Sequence, residues 1–203
     1  MDSDATVELH DLGTRQGELD YLDHAAKVQR IIGNNRTDNP VAIDGDVVIY
    51  QMVLTNREKL LHLWRMAIKH RSLFWHDGMK DEESFMSALF NPCWVFFEVY
   101  KNGYLSGFVY FSEVCSFDHV QLHAVFFDRA LTDKLIVGKL LIHWMFDRYP
   151  IERIEAAIAE NFHATHRFVQ NLGMKYEGTR RRGTILRGSW VNQKVYSVIR
   201  EDL

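Results

Sequence analysis

The chain has 203 residues, 47% of them hydrophobic, which suffices for one well-packed domain and leaves little for a second. Lys plus Arg number 24 against 27 Asp plus Glu, and the resulting net charge of −3 gives no global electrostatic case for nucleic acid or an anionic membrane. The opening "MDSDATVELHDLG" is acidic and polar, unlike a signal peptide, and no apolar run approaches a membrane span, so a soluble protein is expected.

Residues 1–45 are more polar than the remainder and are expected to form an N-terminal extension that is partly helical, through "GELDYLDHAAKVQRIIG", and suited to docking a partner. The main domain is expected over 46–203. It opens with a β-branched strand, "DVVIYQMVLT", followed by a helix capped by Thr55 or Asn56 with Leu60, Leu61, Trp64 and Ile68 on its apolar face. A second helix in "KDEESFMSALFN" starts with acidic residues and stops before Pro92.

Two aromatic and β-branched runs flank Asn102-Gly103, the pair that best tolerates a two-residue hairpin turn. A third run, "DHVQLHAVFFD", extends the meander with His119, Gln121 and His123 on one face. The helix "TDKLIVGKLLIHWMFDRY" follows, capped by Thr132 or Asp133. A strand in "IERIEAAIA", a helix over 163–172 ended by Gly173, and two strands in "MKYEGTRRRGTIL" and "VNQKVYSVIRE" complete the chain. Cys93 and Cys115 sit in apolar, strand-like runs without metal-ligand partners nearby. They are expected to be neither a zinc site nor a disulfide but reduced thiols in a cytoplasmic protein, and no metal is expected.

In this order of elements, Asn161, Ala164, Phe168, Leu172, Gly173, Met174, Glu177 and Gly178, followed by Arg180, Gly188, Trp190 and "VYSVIRE", resemble the second half of the GNAT superfamily of N-acetyltransferases, and within it the ribosomal-protein N-terminal acetyltransferase branch. Divergent copies of the family also occur in bacteriophages, so a phage protein is one expectation. The resemblance implies an α/β (α+β) fold: a mixed, mostly antiparallel central sheet flanked by helices, with a V-shaped splay between the fourth and fifth strands. It further implies acetyl-CoA as cofactor and an amine acceptor, either a small molecule or a protein N-terminus, with no membrane or nucleic-acid role and with a homodimer as one expected assembly. A non-catalytic binding protein on the same fold is the alternative.

The same resemblance assigns the cofactor slot. Phe126 and Phe127 end the strand whose main chain would hold the pantetheine arm and the thioester oxygen, and Asn161 is read either as a helix cap or as a wall of the slot. The pyrophosphate loop corresponds to Thr132, Asp133, Lys134, Val137, Gly138 and Lys139, a stretch that keeps one glycine where the family usually has more. Phe168 stands where many members carry a tyrosine acid. Candidate bases or acids are therefore His123, His119 and Glu113, with Tyr176 as a further option. The arginines 180, 181, 182 and 187 are either a solvated strand face or a site for an acidic partner or phosphate.

Overall fold

The computed structural model describes residues 40–52, 57–69, 81–116, 120–127 and 133–203. Their strands are β1 (Ala42–Asp44), β2 (Val47–Gln51), β3 (Val95–Lys101), β4 (Tyr104–Ser112), β5 (Val120–Phe126), β6 (Arg153–Ala159), β7 (Lys175–Leu186) and β8 (Ser189–Ile199). The helices are α1 (Arg57–Lys69), α2 (Glu82–Leu89), α3 (Lys134–Arg148) and α4 (His163–Asn171). The strands form one sheet in the order β1-β2-β3-β4-β5-β6-β8-β7, antiparallel throughout except between β5 and β6. This is the expected mixed sheet, and the splay falls between β5 and β6, which are the fourth and fifth of the strands expected from sequence because β1 precedes them all.

The central strands read as solid apolar runs because both faces of the sheet are covered. Phe97, Val99, Val109, Phe111 and Leu122 pack with Val137, Leu141 and Met145 of α3. Phe96, Phe108, Tyr110 and Val125 pack on the other face with Leu60 and Leu63 of α1 and Phe85 and Leu89 of α2. The Asn102-Gly103 turn adopts positive φ at both residues, 51° and 76°, as the hairpin requires.

Local chemistry sets the element ends. Asp81 caps α2 by accepting from the Ser84 amide at 2.8 Å, and Ser84 Oγ accepts from the Asp81 amide in return. Gly173 takes φ 94° after α4 and donates to the Gln170 carbonyl, a helix stop that a residue with a Cβ would resist. The expected caps at Thr55, Asn56 and Thr132 lie outside the described residues.

Two features depart from expectation. Ala42–Asp44, at the end of the polar stretch, is an edge strand paired antiparallel with β2 across the Gly45-Asp46 turn. Three residues are too few to display an alternating pattern, so the strand left no periodic trace. The cysteines are also not reduced: Cys93 and Cys115 form a disulfide with Cα atoms 4.9 Å apart. Val95 faces Phe111 across the β3–β4 hairpin, and the left-handed turn at Glu113, φ 63°, folds the outgoing chain back over the start of β3. The Val114 amide bonds the Cys93 carbonyl at 2.9 Å there, so hairpin register rather than local sequence joins the two sulfurs.

Candidate active site

The parallel ladder between β5 and β6 holds for two residue pairs, Val120 with Ile154 and Gln121 with Glu155, and then the strands part. Gly107 draws β5 to the other side. A Cβ at that position would stand 2.4 Å from the Val125 carbonyl oxygen, so only glycine lets β4 lie this close to β5. The gap opens into a cavity of about 240 Å³ bounded by β5, β6, the start of α3 and α4.

The side chains of Leu122, Ala124, Phe126, Ile158, Thr165 and Phe168 contribute to its wall. Phe126 and Phe168 meet edge to face at 6.1 Å. The hydrogen bond from the Phe127 amide to the Ser106 carbonyl fixes which main-chain groups of β5 point to β4. By alternation those of Ala124 and Phe126 point across the gap, where no strand pairs with them. The Phe127 amide is thus engaged in the sheet, and its ring packs on the α1–α2 side, so of the two expected main-chain donors Phe126 alone faces the cavity.

The expected phosphate-loop residues divide. Lys134 lines the cavity, with its ammonium 5.8 Å from the centre of the Phe126 ring. Asp133 occupies the N-cap position of α3 but makes no side-chain cap; its carboxylate pairs instead with Lys101 at the end of β3. Val137 is fully buried in the core. Gly138 packs against α4's exit, where an added Cβ would come within 2.6 Å of Leu172 Cδ2. Lys139 is exposed, and Thr132 lies outside the described residues.

Asn161 is not the cap of α4. Phe162 holds that position without a side-chain cap, and Asn161 is exposed in the preceding turn, while the cavity wall takes Ala164 and Thr165 from the helix itself. Thr165 was not singled out from sequence, although it lies three residues before Phe168 and hence on the same helix face. It and Lys134 supply the polar side chains of the lining.

His123 points from β5 to the opposite face of the sheet. It is half-buried, its ring stacked on Tyr110 and its Nε2 3.1 Å from Ser112 Oγ. Burial pushes the Tyr110 phenol far above its usual range, so it stays protonated at any physiological pH. Glu113, exposed, accepts a bond from Gln121 Nε2 at 3.1 Å. These residues gather at the same end of β4 and β5. Tyr176 is elsewhere, on the outer strand β7, with its hydroxyl 2.6 Å from Thr179 Oγ1. His119 lies outside the described residues.

Beside the gap on the His123 face, Glu155 forms an ion pair with Arg153, its Oε1 2.8 Å from Arg153 Nε, and its Oε2 lies 3.5 Å from Arg180 Nη2. Glu177 joins this network through Arg153 and through the Ser197 hydroxyl. No helix among the described residues is long and apolar enough to cross a membrane.

Comparison with known proteins agrees with this geometry. The family model described as "Acetyltransferase (GNAT) domain" matches residues 59–195. No curated protein sequence is significantly similar to this chain. Among solved structures, a probable GNAT-family acetyltransferase from Chromobacterium violaceum superposes with a TM-score of 0.64 at 17% identity, covering 82% of this chain and 89% of its own. RimL, a ribosomal L7/L12 alpha-N-protein acetyltransferase solved with coenzyme A, gives a TM-score of 0.65 at 12% identity, with coverage of 79% and 98%. The spermidine N-acetyltransferase of Vibrio cholerae, with CoA and spermine, gives a TM-score of 0.67 at 11% identity, with coverage of 78% and 98%.

Proposed function

Because this chain belongs to the GNAT acetyltransferase family, we propose that it moves an acetyl group from acetyl-CoA to a primary amine by direct attack in a ternary complex. The observation that carries the proposal is the parting of β5 from β6 after two residue pairs, which leaves the main chain of Ala124 and Phe126 facing a cavity of about 240 Å³. An extended pantetheine arm fits such an edge as an added strand would. Lys134 and the opening turn of α3, whose amides have no intrahelical acceptors, suit a pyrophosphate at the mouth.

When bound, acetyl-CoA supplies the thioester that the amine attacks. The Phe126 amide is oriented to hold the thioester oxygen. His123, on the other face, is the group suited to take the ammonium proton, with Ser112 Oγ fixing its ring and Tyr110 supporting it from beneath. The cofactor therefore enters from the α3–α4 side and the acceptor from the α1–α2 side, and the two meet in the gap. Phe168 has no proton to give, so the leaving thiolate takes its proton from solvent, while the Thr165 hydroxyl, which borders the cavity on the same helix face, is placed to donate a hydrogen bond to it.

Phe168 and the buried Val137 favour one competing reading, a fold retained for partner binding after activity was lost. Calorimetry with acetyl-CoA separates the two. Saturable binding, followed by mass-spectrometric detection of an acetylated amine, supports the enzyme; no heat at millimolar cofactor refutes it.

A further inference from the structure

The β7–β8 hairpin outgrows the sheet. Pairing of β8 with β6 ends at Ala159 and Gln193, while β7 and β8 remain paired as far as Leu186 and Ser189. Just past the end of β6 the register breaks: Arg180 faces Gln193, Thr184 faces Val191, and Arg181, Arg182 and Gly183 are left opposite Asn192 alone. A bulge of this size leaves main-chain groups without ladder partners and needs a fastening.

Asn192 provides it. Its Oδ1 accepts the Arg182 amide at 3.1 Å and its Nδ2 donates to Glu160 Oε2 at 3.2 Å, while the Glu160 amide donates to the Asn192 carbonyl at 3.0 Å. Glu160 directly follows β6, so the clasp fixes the bulge to the wall of the β5–β6 gap, where the chain turns toward the cavity-lining start of α4.

The side chains held there are of one kind. Arg182 has φ 49° and Arg187, in the turn at the hairpin tip, has φ 52°. The left-handed region costs a residue with a Cβ about 1 kcal/mol or more, a cost glycine would avoid. Arg181, Arg182 and Arg187 are exposed, and no ion pair to them exists among the described residues, whereas Arg180 is paired with Glu155. Trp190, facing Ile185, is 60% exposed beside them. On a chain of net charge −3, this is a local excess of unneutralised guanidinium at the edge of the gap.

We propose that this edge reads the acceptor, and that the acceptor is an anionic one: a peptide or protein segment whose carboxylates lie just beyond the reacting amine. The inference rests on the acetyltransferase reading above and names its substrate class. Arginine forks match carboxylates in a bidentate way, and an exposed indole gives a peptide backbone a flat surface. A polyamine, cationic along its whole length, meets repulsion at the same edge. Single-stranded RNA calls for a longer track of alternating basic and aromatic side chains than one hairpin tip offers.

The test uses the full chain, acetyl-CoA and three probes: a synthetic decapeptide with carboxylates directly after its first residue, a matched peptide with lysines there, and spermine. The acidic peptide is expected to have a kcat/KM about tenfold or more above the other two at low salt, with the advantage shrinking as salt screens the charges. The double variant R181E/R182E is expected to reverse the ratio between the two peptides, and R181K/R182K to keep most of it. Because the readout is a ratio, a general loss of fold or activity does not mimic the result.

Transfer to all three probes with no charge preference, or a preference that R181E/R182E leaves intact, overturns the inference and leaves the acetyltransferase reading standing. Transfer to none of them, with no acetyl-CoA binding, overturns both. Salt-dependent binding of a single-stranded RNA oligonucleotide that R181E/R182E abolishes, without any peptide preference, reassigns the edge and overturns the inference.

Discussion

The imidazole of His123 lies flat on the ring of Tyr110, with centroids 4.3 Å apart and planes 4° from parallel, and Ser112 Oγ stands 3.1 Å from its Nε2. Stacking and a hydrogen bond together fix the ring in both tilt and rotation. The pair belongs to a larger stack, because Trp94 and Phe96 lie against the other sides of Tyr110 at 5.5 and 4.9 Å.

If His123 is the base, His123→Gln lowers kcat by about 100- to 10,000-fold and removes the acidic limb of the kcat/KM profile. Acetyl-CoA affinity, measured by calorimetry, stays near that of the unaltered chain, since the ring faces away from the cavity. A variant with full activity and an unchanged pH profile removes His123 from the mechanism.

Gly138 tests whether the α3 glycine serves phosphate or packing. An added methyl would stand 2.6 Å from Leu172 Cδ2, so Gly138→Ala is expected to destabilise the fold by about 1 kcal/mol, the overpacking outweighing the gain in helix propensity. Urea unfolding measures this, and adding Leu172→Ala makes the alanine at 138 neutral or favourable by opening the space. Weakened acetyl-CoA binding that the double variant does not restore assigns the glycine to phosphate instead.

The disulfide closes a sequence separation of 22 residues. Replacing both Cys93 and Cys115 with serine is expected to lower the unfolding free energy by about 3 kcal/mol, chiefly by releasing the unfolded chain. Unfolding curves of the unaltered chain with and without a dithiol should bracket that figure, and the double variant should not respond to the dithiol. A dithiol effect of equal size on the variant would sink the explanation.

His166 gives the fold an acid limit. It is buried, its Nε2–H donates to the Glu160 carbonyl at 3.3 Å, and its Nδ1 has no hydrogen-bond partner. Burial lowers its pKa, with Lys194 and His163 pushing the same way and the carbonyls of Glu160 and Ala159 opposing. The unfolded chain therefore takes up this proton more readily than the folded one. Stability from this group is complete above the unfolded value near 6.5 and declines as pH falls below it, until the folded imidazole also titrates. The pH dependence of the thermal midpoint between about 7 and 5 should flatten in His166→Gln, and an equal slope in both proteins would contradict the assignment.

Much of the sheet was legible because its information is local. Asn102-Gly103 between two β-branched runs, Asp81 ahead of an apolar stripe, and Gly173 at a helix exit each act through neighbouring residues. The gap between β5 and β6 came from the family resemblance rather than from periodicity, since nothing in "DHVQLHAVFFD" encodes where a ladder stops.

What stayed hidden depends on partners far along the chain. Asp133 suits a helix cap by sequence, yet Lys101 takes its carboxylate from the far side of a hairpin. Asn161 has the composition of a cap and not the position. The insertion of β8 between β6 and β7, and the union of two cysteines across a strand pair, follow from register, which a one-dimensional pattern does not carry.

The covalent link at the base of the β3–β4 hairpin also has a mechanical meaning. A pulling force applied to the chain ends passes from residue 93 to residue 115 through sulfur, so the strands and turn between them never bear load. A stretched single molecule should fall about 70 Å short of its full contour length until a reductant is added, then lengthen by that amount in one step.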